Sequence, residues 1–103
     1  MSKVSGKQES KELYQTIMKL KDADECYRFF QDLCTVSELR AMEQRYDVAV
    51  LLRKGMIYND ILEKTGASSA TISRVNRALN YGVGGYRQVF DRILEGNGEQ
   101  AEE

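Results

Sequence analysis

Apolar residues recur along this chain at helical spacing, and nowhere do they alternate as they would in a half-buried strand. Between Ser10 and Lys21, Leu13, Ile17 and Leu20 form a stripe, with Tyr14 and Met18 beside it. Asp22 followed by Glu25 makes a capping box that opens a second helix. The apolar positions of that helix, Cys26, Phe29, Phe30 and Leu33, are spaced i, i+3, i+4, i+7. Thr35 and Glu38 form another box, and a third helix is predicted from Val36 to about Lys54, with Leu39, Met42, Tyr46, Ala49 and Leu52 along its stripe. Val48, Val50 and Leu51 make this helix apolar on more than one side, so burial is expected on more than one side. In so short a chain that implies a partner subunit.

Gly55 after Arg53 and Lys54 is a helix stop, cations followed by glycine. A short segment from Ile57 to Thr65 carries Tyr58, Ile61 and Leu62, and Gly66 ends it. Ser68 opens a further helix to about Asn80, with Ile72, Val75 and Leu79 on one face and Ala78 alongside. Gly82, Gly84 and Gly85 mark a turn or hinge. A last helix from about Tyr86 to Glu95 carries Val89, Phe90, Ile93 and Leu94. The expected organisation is therefore all-α with six helices: a flexible N-terminus over 1–9, a helical domain over 10–95, and a disordered acidic tail over 96–103.

Composition narrows the chemistry. The 103 residues allow one domain, and the 42% hydrophobic content is too high for a fully disordered chain. Histidine is absent, which removes the commonest general base and the commonest zinc ligand. Carboxylates sit at ordinary helix-surface spacing, and no glycine-rich phosphate loop follows a strand. An enzyme is not expected, and neither is a metal. Cys26 and Cys34 are too few for a disulfide framework and read as small core-facing hydrophobes. The segment after Met1 is polar, with no secretory core, and the longest apolar run, 48–52, is far short of a membrane span. A cytoplasmic protein with reduced thiols and no membrane partner is expected.

The stretch from Tyr58 to Asn80 holds the most information. A short helix, a glycine-containing turn and a second helix describe a helix-turn-helix over about 58–80. Ser68, Ser69, Thr71 and Ser73 crowd the start of the second helix, the end that enters a major groove. Its dipole and free amides favour phosphate there. Arg74 and Arg77 follow at one and two turns, placed to neutralise phosphates or to read guanine. The net charge of -1 hides a segregation. From Lys64 through Arg87 the chain has four basic residues and no acid, a local +4 that leaves −5 for the remainder. Each feature also has a plainer reading: two packed helices, serine caps, solvated arginines. Their conjunction points to double-stranded DNA.

At these residues the chain resembles the Trp repressor superfamily, in particular its Trp-repressor-like YerC/YecD branch, whose pattern includes TGASSATISRVNRALNYG, standing here at 65–82. The run TVSELRAMEQR at 35–45 is similar to the family's cap and long third helix. The resemblance implies an intertwined homodimer that presents two helix-turn-helix units to successive major-groove turns of a pseudo-palindromic operator, about 34 Å apart. It implies DNA contacts at Ser68, Ser69, Ala70, Thr71 and Ser73, alongside Arg74 and Arg77. It also implies a corepressor pocket in which Arg45 and Arg74 flank a small aromatic ligand near Thr35. Val75 and Ala78 stand where the Trp repressor pattern has glycine and serine. The added bulk and the lost hydroxyl point away from tryptophan as that ligand.

The function expected on these grounds is a sequence-specific, dimeric DNA-binding transcriptional regulator, a repressor acting through operator occupancy. A ligand-responsive version of the same dimer stands beside it. From a different class comes a helical protein–protein interaction module that keeps the shape without binding DNA.

Overall fold

Six helices and no strand make up the part of the protein described by the computed structural model, residues 10–102. They are α1 (Lys11–Ile17), α2 (Ala23–Leu33), α3 (Val36–Arg53), α4 (Tyr58–Thr65), α5 (Ser69–Tyr81) and α6 (Gly85–Glu102). The expected flexible segment 1–9 lies outside the described residues. The chain divides into two units, Met1–Leu39 and Arg40–Glu103, with the boundary inside α3.

In the first unit the helix starts come from local side-chain chemistry. Ser10 caps α1, its side chain accepting from the Leu13 amide at 3.4 Å. Asp22 caps α2, accepting from the Glu25 amide at 2.8 Å. At α3 the full reciprocal box forms: Thr35 Oγ1 accepts from the Glu38 amide at 3.1 Å, and the Thr35 amide donates to Glu38 Oε1 at 2.8 Å. α1 ends at Ile17, earlier than the expected Lys21. The chain tightens there, with Lys19 donating to the Thr16 carbonyl and Leu20 to the Ile17 carbonyl. These three-residue steps turn the backbone toward the Asp22 cap. Neither α1 nor α2 buries a residue, although α2 is strongly amphipathic.

The second unit holds the core. Val48 and Ala49 of α3, Ile61 of α4, Ala67 of the turn, Ile72 and Val75 of α5 and Phe90 of α6 are buried. The Phe90 ring meets Tyr46 edge-on at 5.9 Å and Tyr86 at 5.5 Å. Arg53 of α3 reaches Asp91 of α6 at 2.6 Å and fastens the two helices. α3 closes in a Schellman arrangement: Gly55 at φ 91° donates to the Leu52 carbonyl and Met56 to the Leu51 carbonyl. α6 runs to Glu102, beyond the expected end at Glu95, so residues 96–102 of the segment read as a disordered tail are helical.

Gly82, where α5 gives way to the turn before α6, is required by close approach rather than by dihedral freedom. A Cβ there would stand 2.4 Å from the Ala78 carbonyl oxygen, a backbone atom with little room to yield. Gly82→Ala is expected to open the last turn of α5 and cost about 1–3 kcal/mol, the usual penalty of overpacking, read as a lowered midpoint in thermal melts.

Candidate nucleic-acid interface

The helix-turn-helix is built by α4, α5 and the three residues between them. Gly66 sits at φ 73° and donates its amide to the Leu62 carbonyl at 2.9 Å, the left-handed stop that lets the chain reverse in so few residues. Thr65 reinforces the stop. Its hydroxyl donates to the Ile61 carbonyl at 2.7 Å and accepts from the Ala67 amide at 3.1 Å. Ala67 then enters the core, and Ser68 caps α5 by accepting from the Thr71 amide at 3.1 Å. The Ser68 hydroxyl also donates to Thr71 Oγ1 at 3.0 Å. From α3, the Gln44 side chain donates to the Thr65 carbonyl at 3.3 Å, tying the turn to the long helix.

Ile72, Val75 and Leu79 carry the packed face of α5. Opposite them, Ser69, Ala70, Ser73, Arg74 and Arg77 are exposed, and Thr71 is half-buried. Ser68 and Thr71 are occupied with each other at the cap, so the unengaged hydroxyls of the opening turns are those of Ser69 and Ser73. Arg74 and Arg77 make no ion pair with any acid among the described residues, and α5 carries no acid in its first turn. The surface is a helix N-terminus with two hydroxyls and two unpaired guanidiniums, a set of donors suited to phosphate oxygens and base edges.

Beside it, a cleft of about 220 Å³ between α3 and α5 is lined by Ala41, Gln44, Arg45, Ala70, Thr71 and Arg74. It brings together the two arginines that the family resemblance singles out. Arg45 pairs with neither Glu38 nor Asp47, which stand seven and two residues from it on α3 rather than at the three- or four-residue spacing that brings helical side chains together. Thr35 is engaged as the cap of α3. Val75 is 2% exposed and belongs to the core, on the apolar face where helical periodicity puts it, and neither Val75 nor Ala78 lines the cleft. Ala41 and Gln44 carry no local mark in the sequence; only the spacing of Ala41 three residues before Gln44 and four before Arg45 gathers them on one side of α3.

Among the described residues no helix is long and apolar enough to cross a membrane, and no group of three or more His, Cys, Asp or Glu is placed to hold a metal. Cys26 and Cys34 are free thiols, each half-buried.

Known proteins share this architecture. A TrpR-like protein from Eubacterium eligens superposes with a TM-score of 0.76 at 57% identity, over 80% of this chain and 84% of that one. A candidate Trp repressor from Staphylococcus aureus superposes equally well, TM-score 0.76, at 45% identity over 80% and 82% of the two chains. The YerC protein of Bacillus subtilis strain 168, itself uncharacterized, is 50% identical over 95 residues, which is 92% of this chain and 90% of YerC. The Trp repressor protein family model matches residues 8–94, a span that takes in α1 through α5 and most of the first three turns of α6. With the cap, the long α3 and the helix-turn-helix all inside that match, the chain belongs to the Trp repressor family, a family of regulators rather than enzymes.

Proposed function

We propose that this protein is a sequence-specific DNA-binding transcriptional repressor that acts as a homodimer on a palindromic operator. The observation that carries the reading is the acid-free exposed face of α5, where Ser69, Ser73, Arg74 and Arg77 stand without partners among the described residues over the first nine positions of the helix. Ser68 and Thr71 shape that helix start, and Ala70 offers a methyl surface to a thymine methyl. Support for a second copy comes from the apolar surface the single chain leaves open. Tyr27 and Leu33 of α2 are exposed with none of that helix buried, and Tyr46 on α3 is 45% exposed. A partner that covers such faces is the usual solution for a short helical chain. Repression then follows from operator occupancy.

The cleft holding Arg45 and Arg74 supports a second, ligand-responsive reading. A small aromatic carboxylate bound by these guanidiniums would sit against the first turns of α5 and change its pitch. It would alter DNA affinity only by the difference in its own affinity for the two arrangements. The test for both readings is selection of bound sites from randomised DNA by the full chain, with and without tryptophan. Two half-sites about one helical turn apart, with two-fold symmetry, are expected. Enrichment of no sequence, with the dimer intact, would instead identify a protein–protein module. Different yields in the two arms would assign a corepressor to the cleft.

A further inference from the structure

A second cleft, of about 260 Å³, lies on the other flank of α5 and is lined by Leu52, Arg53, Asn76, Leu79, Asn80 and Arg87. At 100° per residue, exposed Ser73 and Arg77 lie between the α5 residues of the two clefts, so the recognition helix is a ridge with a basic hollow on each side. The polar groups of this second hollow are not equivalent. Arg53 is engaged by Asp91, which offsets its charge. Asn80 spends its amide hydrogens on Asn76, donating to the Asn76 carbonyl at 2.9 Å and to Asn76 Oδ1 at 3.0 Å. That second bond fixes the orientation of the Asn76 amide and leaves the Asn76 NH₂ with no acceptor among the described residues. Arg87 closes the acid-free stretch, is exposed, and has no acidic partner among the described residues.

We propose that this hollow is a phosphate-binding site in which the Arg87 guanidinium and the Asn76 NH₂ are the donors and Asn80 is the positioning residue. A phosphate offers several acceptor oxygens to a planar fork and a fixed amide, and the half-buried Leu52 and Leu79 limit competing water. The phosphate is supplied either by the DNA backbone, which would extend the contact surface from the helix-turn-helix onto α6, or by a small free phosphate. The first source rests on the DNA-binding reading; the second does not.

Two measurements on the full chain test it. Inorganic phosphate titrated into isotope-labelled protein is expected to shift the Asn76 side-chain amide and Arg87 Nε–H resonances, and Arg87→Gln is expected to abolish the Asn76 shift. The salt dependence of duplex binding is then compared for the parent chain, Arg87→Gln, Arg87→Lys and Arg77→Gln. Loss of about one unit of slope in Arg87→Gln, largely restored in Arg87→Lys, assigns the site to the DNA backbone. Phosphate-induced shifts with an unchanged slope assign it to a free phosphate. No shift together with an unchanged slope overturns the proposal, and a lowered slope in Arg77→Gln alone would leave the DNA-binding reading standing. If the chain binds no duplex at all, that reading fails and the phosphate titration decides this one alone.

Discussion

Phe90→Ala is expected to cost about 3–5 kcal/mol, the range for emptying a buried phenylalanine site, against a total stability of about 5–15 kcal/mol for a domain. Phe90 is 1% exposed and is the largest fully buried side chain, so its removal leaves a cavity rather than a surface dimple. Tyr46 and Tyr86 lose their ring contact at the same time, which leaves Tyr86, Leu94 and the Arg53–Asp91 pair to hold α6. A half-exposed pair of that kind contributes about 1 kcal/mol at most and does not compensate. In thermal melts at fixed protein concentration the midpoint should fall by more than about 12 °C. Val83→Ser is the control. Val83 is fully exposed in the turn before α6, and its replacement is expected to stay within about 0.5 kcal/mol. A Phe90 variant that melts like the Val83 variant would show that the core is organised differently.

The contrast also shows what could be read from the residues alone. Determinants that act over three or four residues were legible. The Thr35–Glu38 box, the Asp22 cap, the glycine stops at 55 and 66 and the Ser68 cap each announce themselves by residue type and spacing, and each forms. Ile61, Ile72, Val75 and Phe90 were legible as core-facing because helical periodicity puts them on apolar faces. What could not be read depends on distance along the chain. Gln44 meets Thr65 21 residues away, and Arg53 meets Asp91 38 residues away; no local pattern encodes either.

The Arg74→Ala, Arg77→Ala double variant is expected to lose operator affinity by about 100-fold or more while melting like the parent chain. Each arginine is exposed and has no acidic partner among the described residues, so its loss is expected to leave stability unchanged. A charge-assisted hydrogen bond is worth about 1.5–3 kcal/mol, roughly a tenfold or larger factor per residue, and two such residues one turn apart act on the same stretch of duplex. The two single variants should differ in kind. Arg77 lies on the ridge of α5 next to Ser73, clear of both clefts; if it meets phosphate, Arg77→Ala weakens all sequences alike and lowers the salt slope by about one unit. Arg74 lines the cleft with Arg45, so Arg74→Ala removes a donor from the DNA face and from the candidate ligand site together. Any ligand response found in the parent chain should therefore vanish in Arg74→Ala and survive in Arg77→Ala. Electrophoretic or fluorescence binding curves at several salt concentrations, with and without tryptophan, separate these outcomes. Equal affinity of the double variant and the parent for the operator would remove α5 from the interface altogether. The acid-free +4 stretch would then be a charge segregation serving some contact other than DNA.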